Sequence, residues 1–141
     1  MKKSTSFINI VLSIILLTAC SNQNLIPVKE AKDIVDTYGI TAFSVIIDTK
    51  EQSEALSASF SEKKERSEAE YLHKKDEVQL HGKKALTKIS GILEEMDIDP
   101  ETDETTLIKK TADAFEFSDF KTIKIDITFK GHDGKKISMS K

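Results

Sequence analysis

The chain has 141 residues, 32% of them charged, with a formal net charge of −3, a single cysteine and no tryptophan. That balance excludes the concentrated basic face that nucleic-acid binding demands. A lone thiol excludes an internal disulfide, and the length fits one domain with its own core.

The N-terminus opens on Met1-Lys2-Lys3, continues through an apolar run from Phe7 to Leu17, and closes on Leu17-Thr18-Ala19-Cys20. This order resembles a bacterial lipoprotein signal peptide with its lipobox. The resemblance implies that residues 1–19 are removed and that Cys20 carries a diacylglyceryl thioether as the mature N-terminus. The apolar run is shorter than the ~20 residues that cross a bilayer core. An ordinary secretory signal that leaves a free cysteine is the rival reading. Each buried methylene of an acyl chain contributes about 0.8 kcal/mol, so one chain holds weakly and two or more hold stably. The expected location is the extracellular face of the cell membrane, held there by the N-terminal lipid. Without Lys2 and Lys3, the remaining 19 basic residues face 24 acidic ones, a net charge of −5. Such a domain is repelled by anionic lipid, so the anchor rather than overall charge must retain it.

Residues 20–27 read as the lipidated cysteine and a short polar tether, placing residues 28–141 within about 25 Å of the bilayer. Pro27 suits the first turn of a helix, and Val28, Ala31, Ile34, Val35 and Tyr38 form its apolar stripe. Gly39 is placed to end it. Phe43, Val45 and Ile47 alternate with Ser44 and Asp48 as a half-buried strand, and Ile46 hints at cover on the second face. Leu56, Ala58 and Phe60 repeat that period after a polar turn.

Between 62 and 77 the charges offer i,i+4 pairs but almost no apolar stripe. An exposed hairpin is therefore expected, with strands Ala69-Tyr71-His73 and Val78-Leu80 turning at Lys74-Lys75-Asp76. Gly82 opens a second helix carrying Ala85, Leu86, Ile89, Ile92, Leu93 and Met96 on one side. A third follows Pro100, with Thr102 or Asp103 as N-cap. Ile123, Ile125, Ile127 and Phe129 then alternate cleanly, and a Gly131-His132-Asp133-Gly134 turn leads to a last strand through Ile137 and Met139. Lys135, Lys136 and Lys141 protect that strand as a sheet edge.

The stretches Asp36–Phe43 and Asp113–Phe120 each end a helix on an aromatic, followed by a connector, a second aromatic and a hairpin. They hint at two helix–hairpin (αββ) units. The expected fold class is α+β: an antiparallel sheet with helices packed on one face.

Tyr38-Gly39-Ile40-Thr41-Ala42-Phe43, the strand end Ile47-Asp48-Thr49, the helix start Gly82-Lys83-Lys84-Ala85-Leu86 and the strand from Phe120 to Phe129 resemble the YusW-like family of small Gram-positive lipoproteins. These motifs are buried and turn residues. The family implies a fold and an uncharacterised function, so no catalytic residue is carried over. The repeated helix–hairpin is similar, more loosely, to PepSY-type envelope domains, for which peptidase inhibition has been proposed.

Candidate chemistry is sparse. His73, His81 and His132 lack the spacing of a metal site, and no G-x-S-x-G elbow supplies a nucleophile. The run from Glu94 to Glu104 carries seven carboxylates, and Asp97, Asp99, Glu101 and Asp103 follow the early positions of an EF-hand. Thr102 occupies the glycine position, however, and Ile108 the place of the bidentate carboxylate. The aromatics Tyr38, Phe43, Phe60, Phe115, Phe117, Phe120 and Phe129 read as core, with a ligand pocket as the alternative. The expectation is a non-enzyme without catalytic, cofactor or metal residues, whose one modified residue is Cys20. It is read as a binding or inhibitory module for another envelope protein or peptide. A small-molecule or Ca²⁺-binding lipoprotein is the second reading, and a small hydrolase using His73 or His132 the third.

Overall fold

The computed structural model describes residues 23–141, so the expected signal peptide and Cys20 lie outside the described residues. Three helices and six strands follow in chain order: α1 (Val28–Tyr38), β1 (Ile40–Asp48), β2 (Leu56–Ser61), β3 (Glu68–His73), β4 (Val78–His81), α2 (Gly82–Met96), α3 (Glu104–Ala114), β5 (Thr122–Phe129) and β6 (Lys135–Ser140). The strands form one antiparallel sheet in the order β4-β3-β2-β1-β5-β6. This is the α+β arrangement that the patterns predict.

Period-two alternation decides what the sheet buries. Val45, Ala58 and Tyr71 lie side by side across β1, β2 and β3, as do Phe43, Phe60 and Ala69. All six point to the helical side and are buried. Small Ala58 and Ala69 leave room above β2 and β3, and Phe115 fills part of it. Its ring stacks on Phe43 at 6.4 Å and on Tyr71 at 6.5 Å. The hairpin β3–β4 is thus buried on one side through Ala69 and Tyr71, where the sequence pattern suggested an exposed one.

Ile40 and Phe43, three residues apart, both face the core. A register shift between Ile40 and Ala42 reconciles this with the pleat, inserting one residue opposite β5. The helices bury single stripes: Ala31, Ile34 and Val35 on α1, Ala85 to Met96 on α2, and Leu107, Ile108, Thr111 and Ala112 on α3. Gly39 ends α1 in the left-handed region at φ 70°, with its N–H on the Val35 carbonyl. The order β2-β1-β5-β6 reads alike outward from the β1–β5 seam. The two helix–hairpin units therefore sit back to back, and β3, β4 and α2 extend the sheet on one side.

Candidate functional site

The residues singled out for chemistry are dispersed. His73 and His81 lie at opposite ends of the β3–β4 hairpin, paired with Val78 and Glu70 respectively. The His73 ring packs on Phe117 with centroids 5.1 Å apart. Its Nδ1 accepts the Asp76 N–H at 3.2 Å, which leaves the proton of the neutral ring on Nε2. Nε2 stands 3.6 Å from the Asp76 carboxylate. The surrounding cleft, about 560 Å³, is lined by Thr49, Glu51, Lys74, Lys75, Glu116 and Asp119. His81 Nδ1 bonds the Asn24 side chain. His132 is exposed in the β5–β6 turn.

The acidic connector between α2 and α3 is occupied locally. Asp99 Oδ1 accepts the Glu101 N–H at 2.8 Å and the Thr102 hydroxyl at 3.3 Å. Asp103 caps α3 through the Thr106 N–H at 3.0 Å, and hydrogen bonding from Thr106, its side chain first and then this N–H, holds the Asp103 carboxyl below the usual range. Among the described residues, no three His, Cys, Asp or Glu side chains converge as a metal site.

What remains are surfaces of the sheet. Its second face carries Ser57, Ser59 and Ser61 on β2, Ala42, Ser44 and Ile46 on β1, and Lys124 and Asp126 on β5. No helix among the described residues covers it. A hollow of about 300 Å³ lies over Ser44, Ser59 and Ser61, bordered by Glu68, Glu70, Asp126 and Asn24. Ile46 lines a second, more apolar hollow of about 320 Å³ with Lys124, Lys136 and Ser138. Its half-burial therefore reflects neighbouring side chains rather than a covering element.

One side of the sheet ends on β6, which pairs only with β5 among the described strands. On the helical side of β6 an apolar groove of about 280 Å³ runs between this strand and α3, lined by Thr105, Ile108, Ala112, Phe120 and Met139. At the opposite side, β4 has only four residues. Its line is continued by residues 24–26, which the sequence reading placed in the tether. The Asn24 carbonyl accepts the Ala69 N–H at 2.9 Å, and the Ile26 N–H donates to Ser67 at 3.0 Å.

A family model for YusW-like proteins matches residues 41–131, from the start of β1 to the turn after β5. The chain belongs to the YusW-like family. The YusW-like region contains the β1–β5 seam, the β3–β4 hairpin and both later helices, while α1 and β6 flank it. No curated protein and no solved structure matches the chain.

Proposed function

We propose that this YusW-like protein is a lipid-anchored module on the outer face of the cell membrane, binding another envelope protein or peptide and performing no catalysis. The observation that carries the reading is a six-stranded sheet that, among the described residues, is covered on one face, with the other face and the β6 edge open. Antiparallel sheets commonly leave one face to solvent, and such a face with a free edge beside it is accessible to a partner. The route of the N-terminal segment supports the anchored half of the reading. Pairing with β3 begins at Asn24, so only a few residues separate the fold from Cys20, a reach of about 10–15 Å at full extension. A domain held that close encounters partners in or on the membrane.

Two measurements test the halves separately. Mass spectrometry of the membrane fraction is expected to find an acylated Cys20, and Cys20→Ala is expected to release the protein into the medium. Crosslinking on intact cells is expected to capture one specific envelope partner. A membrane-bound Cys20→Ala protein would defeat the anchor, and crosslinking without any specific product would defeat the binding role.

A further inference from the structure

We propose that the free edge of β6, with the groove between it and α3, is a docking strip for an extended acidic segment of a partner protein. The inference rests on the binding-module reading and names where and what that module binds.

Backbone geometry supplies the first argument. The Lys141 N–H donates to the Lys121 carbonyl at 2.9 Å, and Met139 and Ile137 stand opposite Ile123 and Ile125 in the same register. In an antiparallel ladder the intervening residues turn their backbone away from the partner strand. Lys136, Ser138 and Ser140 therefore present their N–H and C=O groups outward, as the template for a seventh strand. Six residues of β6 span roughly 20 Å, the length of an ordinary strand. The other edge is shorter, and Asn24–Ile26 occupy its continuation.

The groove gives the added strand something to bury. A new strand lies about 4.8 Å beyond β6, and its alternate side chains point to the helical side. There they meet Ile108, Ala112, Phe120 and Met139. Pairing by backbone with side chains seated in a flanking groove is an established mode of peptide recognition.

Charge selects the occupant. Lys135, Lys136 and Lys141 punctuate the edge, and the strand itself carries no carboxylate. The Lys135 ammonium holds the Pro100 carbonyl and the Lys141 ammonium holds that of Ser118, fixing both ends of the strip. Lys136 is 85% exposed, with Asp126 at 3.8 Å. A second copy pairing antiparallel about Ser138 would set Lys135 against Lys141 twice. Lys135 and Lys141, on the helical side with their ammoniums on carbonyls, thus disfavour self-association, and Lys136 on the open face attracts a segment whose residues on that face are Asp or Glu.

The test is a selection of random eight-residue peptides, displayed on phage, against the full chain. Selected peptides are expected to alternate apolar residues with Asp or Glu. Their affinity is expected to fall tenfold or more on Ser138→Pro, which deletes an outward N–H and leaves the bonds to β5 in place. Lys136→Glu, a surface change, is expected to weaken binding by a similar factor and covers the case in which the proline variant does not fold. Peptides without that alternation, peptides indifferent to Lys136→Glu, or an empty selection would overturn the inference. A photoreactive side chain in place of Ser138 or Ser59, used in intact cells, separates the two proposals. Capture at 138 supports both. Capture at 59 alone leaves the module reading standing and overturns the β6 strip, and capture at neither position overturns both.

Discussion

Gly82 concentrates the most constraint of any single position. It sits at φ 59°, and a Cβ there would meet the Leu25 carbonyl oxygen at 2.9 Å and that of Gln23 at 3.0 Å. Both obstacles are backbone, held by the pairing of residues 24–26 with β3. Its neighbour Lys83 reaches Glu30 at 3.0 Å, tying the start of α2 to α1. Gly82→Ala is expected to cost about 1–3 kcal/mol in urea unfolding, because neither the dihedral nor the crossing strand can yield cheaply. An unchanged midpoint would show that the N-terminal crossing is not held as described. Tyr71 is constrained electrostatically. Burial, then the charges of Asp76 and Glu116, push its phenol above the ordinary value. The folded protein thus keeps this proton at a pH where the unfolded chain has lost it. Stability is unaffected below about pH 10 and falls as pH rises beyond it. Tyr71→Phe is expected to flatten that alkaline decline in a series of thermal melts, and a decline of unchanged steepness would assign it to other groups.

Among elements, α3 shows how local chemistry sets a boundary. Asp103 accepts the Thr106 N–H, an orphan donor of the first turn, and its carboxyl is held low by the Thr106 side chain and then by this N–H. A depressed carboxyl favours the folded state above the usual carboxylate range and loses that contribution as pH falls through it. Asp103→Ala is therefore expected to lower the melting temperature at neutral pH and to soften its drop on acidification, whereas Asp103→Asn retains a cap without the pH dependence. Equal acid profiles for wild type and Asp103→Ala would rule this out. Such boundaries were legible because they depend on short-range patterns. Gly39, Asp103 and the Ile123–Phe129 alternation each announce an element within a few residues. The extra residue at Thr41 has no comparable signature, since only the common burial of Ile40 and Phe43 demands it. Residues 24–26 pair through backbone, which composition does not report. For the candidate site, Lys135, Lys136 and Lys141 marked an edge strand correctly. The groove beside them was invisible, because it exists only once α3 and β6, 20 residues apart in the chain between Ala114 and Lys135, are laid side by side.

At the scale of the molecule, the governing fact is that β1 and β5 are neighbours at the centre of the sheet although Ile47 and Ile123 are separated by 75 residues. No alternation pattern encodes that choice of partner; it follows from burying the inner faces of both hairpins under one helical layer. The consequence is cooperativity. Without β5, β1 would expose a long apolar edge carrying Phe43, Val45 and Ile47, and β6 would have no partner at all. The β3–β4 extension, although remote from β5, shares the same core through Phe115, which stacks on both Phe43 and Tyr71. Ile125, 2% exposed in the seam, is the place to test this. Ile125→Ala is expected to cost about 2–5 kcal/mol through lost burial and an unfilled cavity. If the sheet is one unit, the denaturation midpoint moves by the same amount whether followed by far-UV circular dichroism or by the fluorescence of Tyr38 and Tyr71, neither of which lies on β5 or β6. Two separated transitions, with the tyrosine signal keeping the wild-type midpoint, would mean that the β3–β4 side folds independently of the seam, and the coupling assigned to Phe115 would then be absent.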